Sequence, residues 1–166
     1  MSTRSNIILK VRKEDIGKRF TFRKKDLGVK VDNWGEYETI VVKNPHKTTI
    51  KKEYLTIYCH WDGYPSGVGA ALLNGFDTYE KVLALVLGGS CSSIEEGRVR
   101  FYHNRKGEEW KYIKPRQSDN DETNDVWIEY IYKFEDGKWY VKKTYGELRD
   151  KWYELTKSVT KNGLQG

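Results

Sequence analysis

An α+β fold is the class the sequence predicts: a mostly antiparallel sheet with a central helical segment and a C-terminal helix. Three observations predict it. Short runs alternating apolar and polar residues occur on both sides of the chain's middle, an unbroken apolar stretch of helical length lies between them, and an Asp-Gly pair separates two alternating runs further on. With 166 residues and no internal repeat or low-complexity tract, one domain spanning 1–166 is expected.

Residues 6–12 alternate like a strand, as do 38–42 and, more strongly, 54–59; these are expected to share a sheet. Residues 66–74 have the composition of a short helix closed by Gly75. Asp77-Thr-Tyr-Glu80 then has the form of a capping box opening a second helix over 78–87, which Gly88-Gly89 ends. A strand is expected over 98–102. The polar loop that follows carries four acids within 119–125 and is expected to be mobile. Runs 126–134 and 138–144 flank Glu135-Asp136-Gly137, whose Asp-Gly pair suits the positive φ angles of a tight hairpin. Leu148, Trp152 and Leu155 fall at helical spacing, so 145–157 is expected to form a terminal helix, with 159–166 frayed.

The net charge of +6 is unevenly placed. Residues 1–52 hold fourteen Lys/Arg against six Asp/Glu, 53–97 hold one against six, and 98–166 hold fifteen against twelve. Arg19, Arg23, Lys24, Lys25 and Lys30 thus form either a face attractive to phosphate or a plain solvated surface. No segment reaches about 18 consecutive apolar residues, and the opening Met-Ser-Thr-Arg-Ser lacks the apolar core of a secretory signal, so a cytoplasmic protein away from membranes is expected. Cys59 and Cys91 are too few for a disulfide framework or a zinc cluster and read as free structural thiols.

The densest chemistry lies in Tyr58-Cys-His-Trp-Asp-Gly-Tyr-Pro-Ser-Gly-Val-Gly69. A plain connection from strand to helix has no need of His60, Trp61, Asp62 and Tyr64 within five positions. Trp61, Tyr64 and Tyr102 offer flat faces for stacking a base, His60 and Asp62 suit polar base edges, and Gly67 and Gly69 at a helix start permit backbone approach to a phosphate that Arg98, Arg100 or Arg105 would neutralise. The same residues have plainer uses: Trp61 as packing, Asp62 as a turn stabiliser, Ser66 as an N-cap. Gly-x-Gly alone lacks the further glycine, lysine and downstream acid of a dinucleotide or phosphate-loop fingerprint.

His60 through Gly69, followed by Leu72-Leu73, resembles a family of small proteins common in bacteriophages and prophages. The likeness covers about residues 54–141. It continues through Gly88-Gly-Ser-Cys-Ser-Ser93, Tyr102-His-Asn-Arg-Lys-Gly-Glu108 and Asp136-Gly-Lys-Trp-Tyr-Val141, departing at Asn104, where the family pattern has an acid. The resemblance implies a phage accessory protein of the bacterial host cytoplasm, of the kind that defeats immunity by binding a defence protein or its nucleotide signal. Combined with the residue chemistry, this leads to an expectation of a non-catalytic binder of a phosphorylated, cyclic nucleotide, with no cofactor. Residues 82–87 are apolar on all sides, so they are buried in the monomer or against a second copy, and a homo-oligomer is expected.

Two other classes compete. Eighteen Tyr and Trp together suit direct inhibition of a host defence protein. A phosphodiester-cleaving enzyme would draw on His60, Asp62 and His103, but these lack metal-ligand spacing, and Ser66-Gly67 has no glycine two positions earlier to make a nucleophile elbow. No helix rich in Arg, Asn or Gln suggests sequence-specific DNA binding.

Overall fold

A computed structural model describes residues 2–31, 46–105, 107–123, 125 and 127–165. The strand expected at 38–42 lies outside the described residues. In chain order the strands are β1 (Arg4–Lys10), β2 (Arg19–Thr21), β3 (Lys30–Val31), β4 (Lys47–Thr49) and β5 (Tyr54–Cys59). Helices α1 (Ala70–Gly75) and α2 (Tyr79–Leu87) lead into β6 (Cys91–Glu95) and β7 (Arg98–Phe101). After α3 (Trp110–Ile113) come β8 (Arg116–Ser118), β9 (Ile128–Glu135), β10 (Lys138–Lys143), β11 (Trp152–Glu154) and α4 (Lys157–Asn162).

One nine-stranded sheet runs β11-β10-β9-β1-β5-β6-β7-β3, with β8 also on β5, while β2 and β4 form a separate ribbon. Most neighbours are antiparallel, but β1 pairs parallel with β9, β5 with β6 and β3 with β7. The edge of β5 is divided: β8 takes Tyr54, Leu55 and Thr56, and β6 meets it only at Cys59, opposite Cys91. That division frees the end of β5 to leave the sheet as a corner.

Strand β1 occupies the middle, and its run Asn-Ile-Ile-Leu is buried on both faces, as a central strand requires. Ile7 and Leu9 face the helices with Leu55, Ile57, Tyr132, Phe134 and Trp139, meeting Val68, Leu72, Val82, Leu85 and Val86 in one core. Ile8 turns to the opposite face, where it joins Ile128 and Ile131 beneath Tyr54, Tyr58 and Trp152. Residues 82–87 pack within the single chain, all buried except Leu83, which is half-buried against the core. Cys59 and Cys91 are free, buried neighbours, and burial pushes the Cys91 thiol well above its ordinary pKa.

The hairpin forms as the Asp-Gly pair dictates, with Asp136 and Gly137 both in the left-handed region (φ 51° and 80°). Helix α2 is capped one residue later than a capping box at Asp77 requires: Thr78 is the N-cap and accepts from the Lys81 amide (3.3 Å), while Asp77 pairs with Lys81 Nζ (3.3 Å).

The C-terminal expectation needs correction. Residues 145–157 are not helical, because Gly146 and Asp150 take φ of 82° and 62°, and the Trp152-Tyr-Glu154 segment extends to complete the edge of β10. The terminal helix begins only after Thr156, whose hydroxyl caps the Val159 amide (3.2 Å), and it occupies residues expected to fray. Described residues of the acidic loop make specific contacts. Asp121 pairs with Lys133 (2.6 Å), and Asp125 holds Arg116 through two bonds of 2.8 and 2.5 Å while accepting from Asn6 (2.7 Å).

Thr78→Ala is expected to lower stability by about 1 kcal/mol and Asp77→Ala by only a few tenths, as exposed pairs do. Chemical denaturation of the two variants checks the order.

Candidate binding site at the strand-to-helix corner

After Cys59 the chain departs from the sheet while still bonded to it. The His60 amide donates to Cys91 O (3.3 Å), the Trp61 amide to Ser92 O (2.9 Å) and the Gly63 amide to Thr3 O (2.8 Å). Asp62 turns the chain in the left-handed region (φ 56°), which a short polar side chain tolerates. Pro65–Gly69 then wind as a single wide π-type turn into α1, an irregularity common at functional sites.

Two contacts force this shape. The Val68 amide donates to Asp62 O (2.8 Å), which brings Gly67 so close that a β-carbon there would lie 2.3 Å from the same oxygen, so only glycine fits. From beneath, the buried Tyr132 hydroxyl donates to Gly63 O (2.6 Å), while the Gly69 amide donates to Tyr64 O (3.5 Å). The expected role of Gly67 and Gly69 therefore changes. Both amides are used internally, Gly67 donating to Tyr64 O (2.9 Å), and what the glycines contribute is close packing rather than donors turned to a phosphate.

On this scaffold Trp61 is 48% and Tyr64 39% exposed. Tyr64 donates to Asp62 Oδ1 (3.1 Å), which pushes its phenol pKa up and fixes both side chains on the rim. The His60 imidazole stands edge-on to the Trp61 ring, centroids 4.6 Å apart at 87°. Its Nδ1 lies 2.6 Å from the Tyr58 hydroxyl. Burial pushes the Tyr58 pKa up and the nearby Arg4 charge opposes it, which disposes the phenol to direct its proton at His60 Nδ1. Burial, then the Arg4 charge, lowers the His60 pKa. His60 is thereby neutral at pH 7 and carries its proton on Nε2, assigned here from the hydrogen-bond network.

The other expected residues divide. Tyr102 is half-buried near Tyr58, and burial pushes its pKa up. Arg100 lies opposite Ser93 on the face of β7 away from the core, one strand beyond the Trp61–Ser92 contact. Arg98 is at the far end of the β6–β7 hairpin, bonded to Glu95, and Arg105 pairs with Glu108 (3.9 Å). His103 does not join His60 and Asp62. It is buried among Phe22, His46 and Phe101, with centroids 4.7–5.1 Å away, and neither ring nitrogen has a hydrogen-bond partner among the described residues. Among the described residues no group of three or more His, Cys, Asp or Glu is placed to hold a metal ion. No described helix is long and apolar enough to cross a membrane.

Three contributors were not singled out from the sequence. Tyr58 had a local signal, since it lies two residues before His60 on the same strand face. Arg4 and Tyr132 had none, because only the pairing of β1 with β5 and β9 brings them to the corner. No family model, curated protein or solved structure matches this chain.

Tyr132→Phe strands a buried carbonyl and is expected to cost about 1–3 kcal/mol, and Gly67→Ala a similar amount through overpacking; equilibrium unfolding checks both. Burial, then the His46 and Lys24 charges, lowers the His103 pKa from 6.5 to about 3. The unfolded chain therefore binds the extra proton first. This contribution to stability is complete above pH 6.5 and is lost as pH falls toward about 3. His103→Phe is expected to shallow the acid limb of the stability–pH curve, leaving the smaller part due to His46.

Proposed function

We propose that the chain is a non-catalytic binding protein whose corner takes a phosphorylated nucleotide, and that it serves a phage by sequestering such a signal. One observation carries the reading: the exposed Trp61 ring stands beside an imidazole held at Nδ1 by the Tyr58 hydroxyl, with the Arg4 charge close to both. An exposed aromatic alone would not suffice, since Tyr112, Trp127 and Tyr145 are exposed as well. What distinguishes Trp61 is a backbone clamped on both sides and an adjoining set of donors.

A base stacks on Trp61, flanked by the Tyr64–Asp62 pair at the rim. His60 Nε2–H and Arg4 supply the donors that a phosphate or a base carbonyl needs, and Tyr102 and Arg100 extend the same face. The resemblance of residues 60–69 to the phage family supports the anti-defence setting. Against hydrolysis as the main reading, His103 is packed in a separate aromatic cluster, leaving His60 and Asp62 without the third group.

Direct inhibition of a host defence protein is the second reading, favoured by the exposure of Trp61 and Tyr64 side by side, as interface anchors are.

Calorimetry against a panel of cyclic and linear nucleotides tests the proposal. Binding at micromolar Kd or tighter is expected for at least one, weakened about tenfold or more by Trp61→Ala and by Arg4→Ala without loss of fold. A stoichiometry of one ligand per two chains would mean that two copies share a two-fold ligand. A ligand recovered chemically altered makes the protein an enzyme, and a panel without binding, with a host protein captured through Trp61, establishes the inhibitor instead.

A further inference from the structure

A second surface, lined by none of the corner's residues, has a chemistry of its own. A groove of about 830 Å³ runs between the 47–51 segment and the 111–117 segment. Five cations line it (Lys47, Lys51, Lys111, Lys114 and Arg116), and no acid does among the described residues. Arg116 is satisfied by Asp125 and Lys111 by Glu109 (3.1 Å), but Lys47, Lys51 and Lys114 pair with no acid among the described residues. Three like charges converging on one concavity repel one another, a cost that a bound polyanion removes.

The groove is also stiff. The Gln117 side chain donates to Thr49 O (2.9 Å) and accepts from the amides of Lys51 (2.6 Å) and Lys52 (3.2 Å), so one residue of β8 fastens the opposite wall. The α3 wall is anchored by the stacking of Trp110 on His46 (3.9 Å) and by the bond from the Ser90 amide to Ile113 O (2.7 Å). Between these anchors Tyr112 is left 76% exposed, with Lys111 Nζ 4.8 Å from its ring centre. A helix whose neighbouring residues are packed while its one tyrosine faces solvent among lysines offers a base a flat face at the edge of a phosphate track.

We propose that this groove binds single-stranded nucleic acid: Lys47, Lys51 and Lys114 neutralise consecutive phosphates, and Tyr112 stacks one base. Single strands suit it better than duplex, since α3 is one turn long and enters no major groove, whereas an unpaired base reaches an exposed ring. The contacts are to backbone and π-face, so binding is indifferent to sequence. This surface is independent of the corner and of the function proposed for it.

Fluorescence anisotropy of a labelled 15-nucleotide oligothymidine with the full chain tests the proposal. Binding is expected at low salt, with log K falling against log salt at a slope of about −2, the value for three phosphate contacts on a single strand. The double variant Lys51→Glu/Lys114→Glu is expected to abolish it, and Tyr112→Ala to weaken it about tenfold. Trp61→Ala is expected to leave it unchanged, which separates this surface from the corner, and thermal unfolding verifies that each variant folds. The proposal is overturned by an absence of binding at low salt, by equal binding of polyglutamate or duplex DNA, by indifference to Tyr112→Ala, or by loss of binding in Trp61→Ala alone.

Discussion

The phenol of Tyr132 fastens the corner on which the functional reading rests. It is wholly buried in the middle of β9, yet its hydroxyl reaches Gly63 O at 2.6 Å, and its ring packs so closely on Gly69, at the other end of the turn, that a β-carbon there would lie 3.2 Å from it. A buried hydroxyl without partners would be expensive, and so would a buried carbonyl. Each relieves the other only if the chain passes through this one shape. The remaining bonds, to Thr3 and Ser92, then fix the corner against both flanking strands.

Such fastening has a functional consequence. Because the backbone of residues 60–69 is held by partners on β9, on β6 and in the segment before β1, Trp61 and Tyr64 remain exposed without being loose. A preorganised platform loses little conformational entropy on binding, so more of its contact energy appears as affinity. The same economy recurs in the basic groove, where Gln117 and the packed residues of α3 hold Tyr112 and the lysines in place. In both places the aromatic ring is carried by backbone that the core immobilises.

Local signals in the sequence were reliable where local physics decides. The Asp136-Gly137 turn follows from the φ angles those residues favour, and α2 from an apolar run bounded by Thr78 and a glycine pair. The corner was legible as an unusual connection because His60, Trp61, Asp62 and Tyr64 within five positions exceed what a turn needs. The terminal helix was misread because Leu148, Trp152 and Leu155 satisfy helical spacing by coincidence. In the fold they go separate ways: Leu155 into the main core, Trp152 beneath Lys133 and Lys142 on the opposite face, and Leu148 half-buried, since β10 offered an unpaired edge. The approach of Arg4 to Tyr58 and His60, and the Tyr132 anchor, depend on pairings between residues more than fifty positions apart, which periodicity does not encode. Likewise Lys47, Lys51 and Lys114, far apart in sequence, meet through the β5–β8 pairing and the Gln117 clasp.

The account depends above all on the corner being rigid before any ligand arrives, and native-state amide hydrogen exchange measures that directly. The amides of Trp61, Gly63 and Val68 are predicted to exchange as slowly as those of Ile57 in β5, opening only with global unfolding. Exchange at the rate of an exposed loop, with Ile57 still protected, would contradict it.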